Sequence, residues 1–174
     1  MYGIAGERRL TEWEVDWLPG FAGSQPVRVG NGAHGQLQLD VYGEVMDALY
    51  QARRGGLPEN DVAWALQRAL LLRLEDIWDQ PDQGLGEVRG PPLHFAYSKV
   101  MAWVAFDRAV QTSETFGLAG PVDRWRALRA RIHEDICMKG YDPHAGSFVQ
   151  AYGRPDLDAS LLLLPAVGFL PPTD

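Results

Sequence analysis

The sequence is poor in cysteine, in positive charge and in long apolar runs. Its single cysteine, Cys137, excludes an intrachain disulfide framework and is typical of a reducing compartment, so we expect a cytoplasmic protein. The 16 Lys and Arg against 23 Asp and Glu give a formal net charge of −7, which argues against binding to nucleic acid or to anionic membranes. The longest apolar run, Leu161–Leu170, is too short to cross a bilayer.

Signals for metal binding and for secretion are also missing. The four His are scattered and, with one Cys, show no metal-ligand spacing, so we expect neither a metal ion nor another cofactor. The first ten residues, MYGIAGERRL, have no apolar run after basic residues and do not match a signal peptide. What is present is 174 residues with 46% apolar content, enough for one domain with its own core.

Helical periodicity dominates the chain after an irregular first 30 or so residues. Residues Thr11–Leu18 alternate polar and apolar, which predicts a short extended segment with Trp13 and Trp17 on one face. Five helices are predicted: one ending at Gly55-Gly56, then helices over about 60–78, 94–116, 121–140 and 156–164. Helices of about five turns joined by short loops predict an all-α chain of antiparallel pairs.

Apolar residues at helical spacing predict the buried faces of the first two helices. In the first helix the predicted inward residues are Tyr42, Val45, Met46 and Leu49. In the second helix the predicted inward residues are Val62, Leu66, Ala69, Leu70 and Ile77.

Three carboxylates, Asp40, Glu44 and Asp47, recur on one face of the first helix. A solvated helix face is the ordinary interpretation of this pattern, because no His joins them at ligand spacing. Asp40 is the exception of interest, since it lies at the loop end of the helix.

Residues Gly30–Gly35 satisfy the glycine pattern of dinucleotide-binding loops, G-x-G-x-x-G. That fingerprint needs a second parallel strand after the helix. Here the helix leads through Gly55-Gly56 to another helix, so no strand–helix–strand unit forms. We therefore do not expect nucleotide binding.

A loop rich in Pro and Gly precedes the third helix and presents Glu87 next to Arg89. Gly84 and Gly86 allow the backbone to approach a ligand, and Pro91-Pro92 stiffen the exit from the loop. Many glycosidases present their proton donor as a carboxylic acid on such a loop above a helical scaffold. A solvated Glu in an ordinary connection is the alternative on local sequence alone.

The run GLGEVRGPPLHFAYSKVMAWVAFDRAV, residues 84–110, resembles the acid-bearing segment of glycoside hydrolase family 15. That family contains glucoamylases, glucodextranases and bacterial trehalase-like enzymes. Tyr2–Leu10, Pro26–Leu49 and Tyr141–Pro172 agree with it as well, so the resemblance covers essentially the whole chain. It implies about half of an (α/α)₆ toroid, with residues 1–174 as one partial catalytic domain truncated on its C-terminal side and on its N-terminal side.

The resemblance also implies a function and roles for individual residues. It implies a fragment of an inverting α-glucoside hydrolase, trehalase- or glucoamylase-like, that acts on an α-glucoside or oligosaccharide. Glu87 would be the catalytic general acid. The implied substrate-binding residues are Arg28, Asn31, Asp40, Arg89 and His94. Gly86 stands where the family usually has Trp, and the chain stops before the segment that carries the family's general base.

Alternatives remain for several of these roles. Arg28 and Asn31 could simply stabilise a turn, and His94 could cap its helix or pack the loop. For the whole chain, the alternative function is a catalytically inactive sugar-binding remnant or one half of a split enzyme. Its partner would then be the missing half of the ring or a second copy of the chain.

Overall fold

The computed structural model of the chain describes residues 3–58, 60–86, 90–171 and 173. Its internal contacts define two units, residues 1–37 and residues 38–174. The irregular N-terminal segment expected from the sequence is thus a unit of its own, and the predicted helices all lie in the second unit.

The first unit is built on one short antiparallel strand pair. Strand β1, Trp13–Glu14, pairs with strand β2, Arg28–Val29. The rings of Trp13 and Trp17 lie 5.9 Å apart, so the two aromatic side chains are neighbours as predicted, although the strand covers only part of the expected extended segment. Residues Gly32–Gly35 of the glycine pattern form a 3₁₀ turn.

The described part of the second unit contains four long helices, and the ends that were predicted for these four agree to within about two residues. They are α1 (Asp40–Arg54), α2 (Asp61–Ile77), α3 (Ala96–Phe116) and α4 (Val122–Lys139). A hairpin of β3 (Tyr141–Asp142) and β4 (Ser147–Phe148) follows. The all-α prediction is therefore confirmed, because the strands are only two residues long.

The fifth helix is shorter than predicted. A 3₁₀ turn, Ala159–Leu162, occupies the middle of the expected range, and helix α5 covers only Leu163–Ala166. Pro165 lies inside α5 rather than stopping it, because the amide hydrogens of a first helical turn need no partner within the helix. Asp158 precedes the 3₁₀ turn and accepts a hydrogen bond from the backbone amide of Ser160 at 2.8 Å, so it caps the turn.

Helix α3 is the centre of the second unit, and every residue from Ala96 to Val110 is buried. Helix α1 runs parallel to α3, since residues early and late in α1 face residues early and late in α3: Glu44 bonds Tyr97, and Tyr50 packs on Phe116. Helix α4 runs antiparallel to α3, as the Trp103–His133 ring contact and the Asp107–Arg129 ion pair show. Consecutive helices that alternate in direction are consistent with part of an (α/α) toroid.

The buried face of α2 differs from the predicted one. Val62, Leu66 and Ala69 are exposed, and the buried residues are Trp64, Gln67, Leu71, Leu74 and Ile77. The helix carries apolar side chains on more than one face, so periodicity alone does not fix its rotation. Gln67 can be buried because its amide oxygen accepts a 3.0 Å hydrogen bond from Arg53 of α1.

Candidate active site at the loop before helix α3

The loop that enters α3 is closed at its root by backbone hydrogen bonds. The amide of Asp82 donates to the carbonyl of Leu93 at 2.9 Å, and the amide of Leu93 donates back at 2.8 Å. Residues 83–92, called the acid loop below, lie between the two residues that form this closure. Glu87 and Arg89 belong to this loop but lie outside the described residues, so the structure leaves both assignments as predictions.

A small pocket of about 70 Å³ lies beside the described part of the acid loop. Its lining residues are Gly84, Leu85, Gly86, Phe95, Tyr97, Gln150, Asp158 and Ser160. Gly84 has a positive φ of 66°, and a Cβ there would lie 2.9 Å from the ring of Phe95. The glycine therefore allows the backbone to lie close to an aromatic wall of the pocket, and the approach to a ligand stays a prediction.

One wall of the pocket is an ordered polar cluster around Asp158. Its carboxylate accepts hydrogen bonds from the Ser160 amide at 2.8 Å, the Ser160 hydroxyl at 2.5 Å and the Gln150 side chain at 3.1 Å. The bonds from Ser160 hold the pKa of Asp158 below its ordinary value. The cluster can donate and accept hydrogen bonds, as recognition of a sugar hydroxyl requires.

The sequence pattern did not identify Asp158 as a site residue, nor did it identify Gln150 and Ser160. Both flank Asp158 in the segment Tyr141–Pro172, which resembles the family. Their position in that segment is the sequence feature that could have indicated the polar wall.

Tyr97 also lines the pocket, and its hydroxyl donates a 2.8 Å hydrogen bond to Glu44 of α1. Burial and the Glu44 carboxylate raise the pKa of Tyr97 well above its ordinary value, so the hydroxyl stays protonated. With its proton directed at Glu44, the Tyr97 oxygen can still accept a hydrogen bond from a ligand.

Asp40, the exception of interest among the three carboxylates of α1, is buried, with 4% of its surface exposed. Burial raises the pKa of Asp40, and the negative charges of Asp82 and Glu44 add to that rise. One carboxylate oxygen of Asp40 and one of Asp82 have no hydrogen-bond partner among the described residues. Asp47 departs from the solvated face too, because it forms a 2.5 Å ion pair with Arg108.

His94 lies at the exit of the acid loop but does not line the pocket. Its ring stacks on Tyr152 with centroids 5.9 Å apart, and its carbonyl accepts a 3.0 Å hydrogen bond from the Tyr152 amide. Burial lowers the pKa of His94, and the nearby positive charge of Lys99 lowers it further. These contacts match the packing alternative, and a contact with substrate stays a prediction.

Arg28 and Asn31 belong to the first unit, where both have local partners. Arg28 pairs with Glu14 at 2.9 Å and with Glu12 at 3.3 Å. The Asn31 side chain accepts a 2.9 Å hydrogen bond from the Ala33 amide and so caps the 3₁₀ turn. Stabilisation of a turn is thus observed, and the substrate-binding role of both residues stays a prediction.

Two further properties concern the described residues as a whole. Among residues 3–58, 60–86, 90–171 and 173, no group of three or more His, Cys, Asp or Glu could hold a metal ion. None of the helices in these ranges is long and apolar enough to cross a membrane.

The comparison with known families covers the whole chain. Residues 1–174 match the family model described as "Glycosyl hydrolases family 15". The chain belongs to this family. The resemblance carried by the acid loop, by the segment before α1 and by the C-terminal segment is therefore confirmed over the whole chain.

Curated members of family 15 that resemble the chain are trehalases. A trehalase of Mycobacterium tuberculosis is 43% identical over 176 residues, which is all of this chain and 25% of that protein. A trehalase of Thermoplasma acidophilum is 39% identical over all of this chain and 30% of its own length. Trehalase 2 of Sulfolobus acidocaldarius is 35% identical over 99% of this chain and 30% of its own length. No solved structure matches the chain.

The chain thus spans between a quarter and a third of the length of these curated relatives.

Proposed function

We propose that this family 15 chain supplies the acid-bearing part of the active site of an inverting α-glucoside hydrolase. Glu87 is the proposed general acid. Trehalose is the first substrate to test, because relatives at 35% to 43% identity carry the name trehalase. Arg28, Asn31, Asp40, Arg89 and His94 remain proposed substrate contacts.

The observation that carries this proposal is the pocket next to Gly86, the residue before Glu87. Its walls combine the aromatic rings of Phe95 and Tyr97 with the polar groups of Gln150 and Asp158. Sugar sites typically offer an apolar surface to the ring and a few fixed polar groups to its hydroxyls. The pocket is small, so it suits part of one sugar unit rather than a whole disaccharide.

In the proposed reaction Glu87 donates its proton to the glycosidic oxygen as the bond from that oxygen to the anomeric carbon breaks. A second carboxylate takes a proton from a water molecule, whose oxygen attacks the anomeric carbon from the opposite face. Inverting enzymes hold the two carboxyl groups about 6.5–9.5 Å apart to leave room for that water. We assign the base role to no residue of this chain.

The proposal is tested in the complete natural chain that contains these residues. We expect it to hydrolyse trehalose or maltose, and proton NMR of fresh maltose digests should show β-glucose formed first from the non-reducing unit. Glu87→Gln should lower kcat by about 10²–10⁴-fold, the usual contribution of a general acid or base. The matched control is Glu134→Gln on the exposed side of α4, which should leave kcat unchanged.

Three other results would contradict this proposal or favour an alternative. Binding of trehalose without turnover in the complete natural chain would favour an inactive sugar-binding remnant. Activity that appears only after addition of a second polypeptide would favour one half of a split enzyme. Turnover unaffected by Glu87→Gln would contradict the proposed role of Glu87.

The cytoplasmic location suggested by the single cysteine is tested separately by cell fractionation.

A further inference from the structure

Lys99 is a buried lysine in the first turn of α3, with 1% of its surface exposed. Its ammonium group donates a 2.7 Å hydrogen bond to the carbonyl of Trp78 and a second, close one to the carbonyl of Gln80. Burial lowers the pKa of Lys99 to about 8, and the negative charges of Asp82 and Asp79 act in the opposite direction. A buried charge is costly unless it is hydrogen-bonded, so these two acceptors explain how it is tolerated.

The two carbonyls belong to the segment that leads from α2 into the acid loop. Trp78 is the residue after α2, where the last helical carbonyls lack partners within the helix. Gln80 lies two residues before Asp82, which closes the acid loop by its paired backbone hydrogen bonds with Leu93. One function of Lys99 is therefore to cap α2, and capping alone would be a purely structural role.

The position of Asp82 gives the same contacts a second consequence. Asp82 is fully buried, and one of its carboxylate oxygens accepts a 3.1 Å hydrogen bond from the Leu39 amide at the start of α1. The segment held by Lys99 therefore leads directly to Asp82. The backbone of Asp82 joins the start of the acid loop to Leu93 at its end, and the Asp82 side chain joins it to α1. Displacement of the Trp78 and Gln80 carbonyls would be transmitted to that closure.

The turn of α3 that carries Lys99 also builds the pocket. The Lys99 amide donates to the Phe95 carbonyl at 3.2 Å, and both Phe95 and Tyr97 line the pocket beside Gly86. One turn of helix thus supplies two pocket side chains and the ammonium group that holds the root of the acid loop. An apolar residue at position 99 could pack against α2, but it could not donate to the two carbonyls.

We propose that Lys99 is a positioning residue for the acid loop: its ammonium group, bound to Trp78 and Gln80, fixes the Asp82–Leu93 closure at the root of that loop. The link to catalysis rests on the proposed function, in which Glu87 is the general acid. The link to the closure rests on the contacts of Lys99 alone. The two parts are therefore tested by different measurements.

The first measurement is amide hydrogen exchange on the 174-residue chain, compared with Lys99→Met. We expect exchange at Asp82 and Leu93 to become faster by on the order of ten-fold, while Ile132 and Ile136 of α4 keep their rates. The matched control is Lys139→Met, which removes an exposed lysine at the end of α4 and should change neither loop amide. Unchanged Asp82 and Leu93 amides, or equal acceleration at all sites, would overturn the proposal.

Lys99→Arg keeps the test decisive if Lys99→Met does not fold. Arginine keeps the charge but replaces a compact ammonium by a planar fork, which cannot occupy the same place between two carbonyls. Selective loss of protection at Asp82 and Leu93 in Lys99→Arg supports the proposal. Protection at the wild-type level overturns it.

The second measurement is trehalose hydrolysis by the complete natural chain. Lys99→Met should lower kcat by roughly 10–100-fold with little change in KM, because small misplacements of a catalytic group cost up to about 10²-fold. In a Glu87→Gln background the same substitution should cause no further loss. A loss confined to KM, or an equal loss in both backgrounds, would overturn the catalytic link. If Glu87→Gln alone has no effect, the proposed function fails, and hydrogen exchange still decides the role of Lys99 in the closure.

Discussion

The hydroxyl of Tyr97 in α3 lies 2.8 Å from a carboxylate oxygen of Glu44 in α1. This hydrogen bond joins the two parallel helices beside the pocket, and it fixes the orientation of a hydroxyl that lines the pocket wall. Glu44 itself is exposed, so the bond connects the pocket wall to the solvent side of α1. A substitution of Tyr97 therefore tests both the packing of α1 on α3 and the proposed sugar site.

Replacing Tyr97 by Phe should weaken both the fold and sugar binding. Loss of one partly buried hydrogen bond to a carboxylate should lower the free energy of unfolding by about 1–2 kcal/mol, measured by urea denaturation. Trehalose affinity, measured by isothermal titration calorimetry on the complete natural chain, should fall as well. Glu44→Gln is the control, because the amide oxygen can still accept the bond. Unchanged affinity in Tyr97→Phe would remove Tyr97 from the binding site.

Replacing Gly43 by Ala should destabilise the second unit although alanine favours helices. A Cβ at position 43 would overlap with the Met101 carbonyl of α3, and the Met101 carbonyl carbon would lie only 2.8 Å away. Overpacking of this kind typically costs about 1–3 kcal/mol, which exceeds the roughly 1 kcal/mol gained in helix propensity. Gly35→Ala is the control, since a Cβ there would meet nothing within 4 Å. A higher melting temperature for Gly43→Ala would contradict the close packing of α1 on α3.

Replacing Asp40 by Asn should change how stability depends on pH. The pKa of Asp40 is raised above 3.8 in the folded protein, mainly by burial and then by repulsion from Asp82 and Glu44. The folded state therefore binds the Asp40 proton more tightly than the unfolded state does. The stability that this group contributes is complete below about pH 3.8 and is lost as the pH rises through its folded pKa.

The difference in unfolding free energy between the wild type and Asp40→Asn should accordingly fall from pH 3 upwards and then level off. Urea denaturation at a series of pH values measures this difference. The opposite slope, with the wild type gaining stability on Asn as the pH rises, would show that the Asp40 carboxylate is favourably paired. If Asp40→Asn is more stable than the wild type but binds trehalose less well, Asp40 is a substrate-binding residue that lowers the stability of the fold.

The exposed face of α2 should make the 174-residue chain prone to self-association. Val62 and Leu66 are neighbours on one helical face and are 79% and 61% exposed. Contiguous apolar surface of this kind binds hydrophobic dyes and favours association. Val62→Gln with Leu66→Gln should lower ANS fluorescence and the apparent mass in light scattering. Arg68→Gln on the same helix is the control, and a wild-type monomer with little dye binding would contradict this expectation.

The helices could be predicted from the sequence, but their rotation could not in every case. Start and stop signals such as the Asn60 cap of α2 and the left-handed Gly117 after α3 lie in the sequence itself. Helix α2 carries apolar residues on two faces, so only the neighbours that it meets decide which face is buried. Gln67 was a poor candidate for the core until its partner Arg53 was known.

The sequence indicated the parts of the candidate site that are local in the chain. It did not indicate which distant segments meet there. The acid loop and its glycines are recognisable from local sequence, because clusters of Pro and Gly mark turns and loops. The pocket wall of Gln150, Asp158 and Ser160 is more than 50 residues away in sequence, and tertiary structure alone brings it to Gly86. Asp40 was singled out for its place at a helix start, whereas its burial between other carboxylates follows from packing.

If Glu87 is the general acid, the effect of its replacement should depend on the leaving group of the substrate. The measurement compares Glu87→Gln with the wild type in the complete natural chain, using trehalose and α-glucosyl fluoride. Fluoride departs with little help from a proton, whereas the glucose oxygen of trehalose needs one. The account predicts a loss in kcat of about 10²–10⁴-fold on trehalose and a much smaller loss on the fluoride. Equal losses on both substrates, or no loss on trehalose, would contradict it.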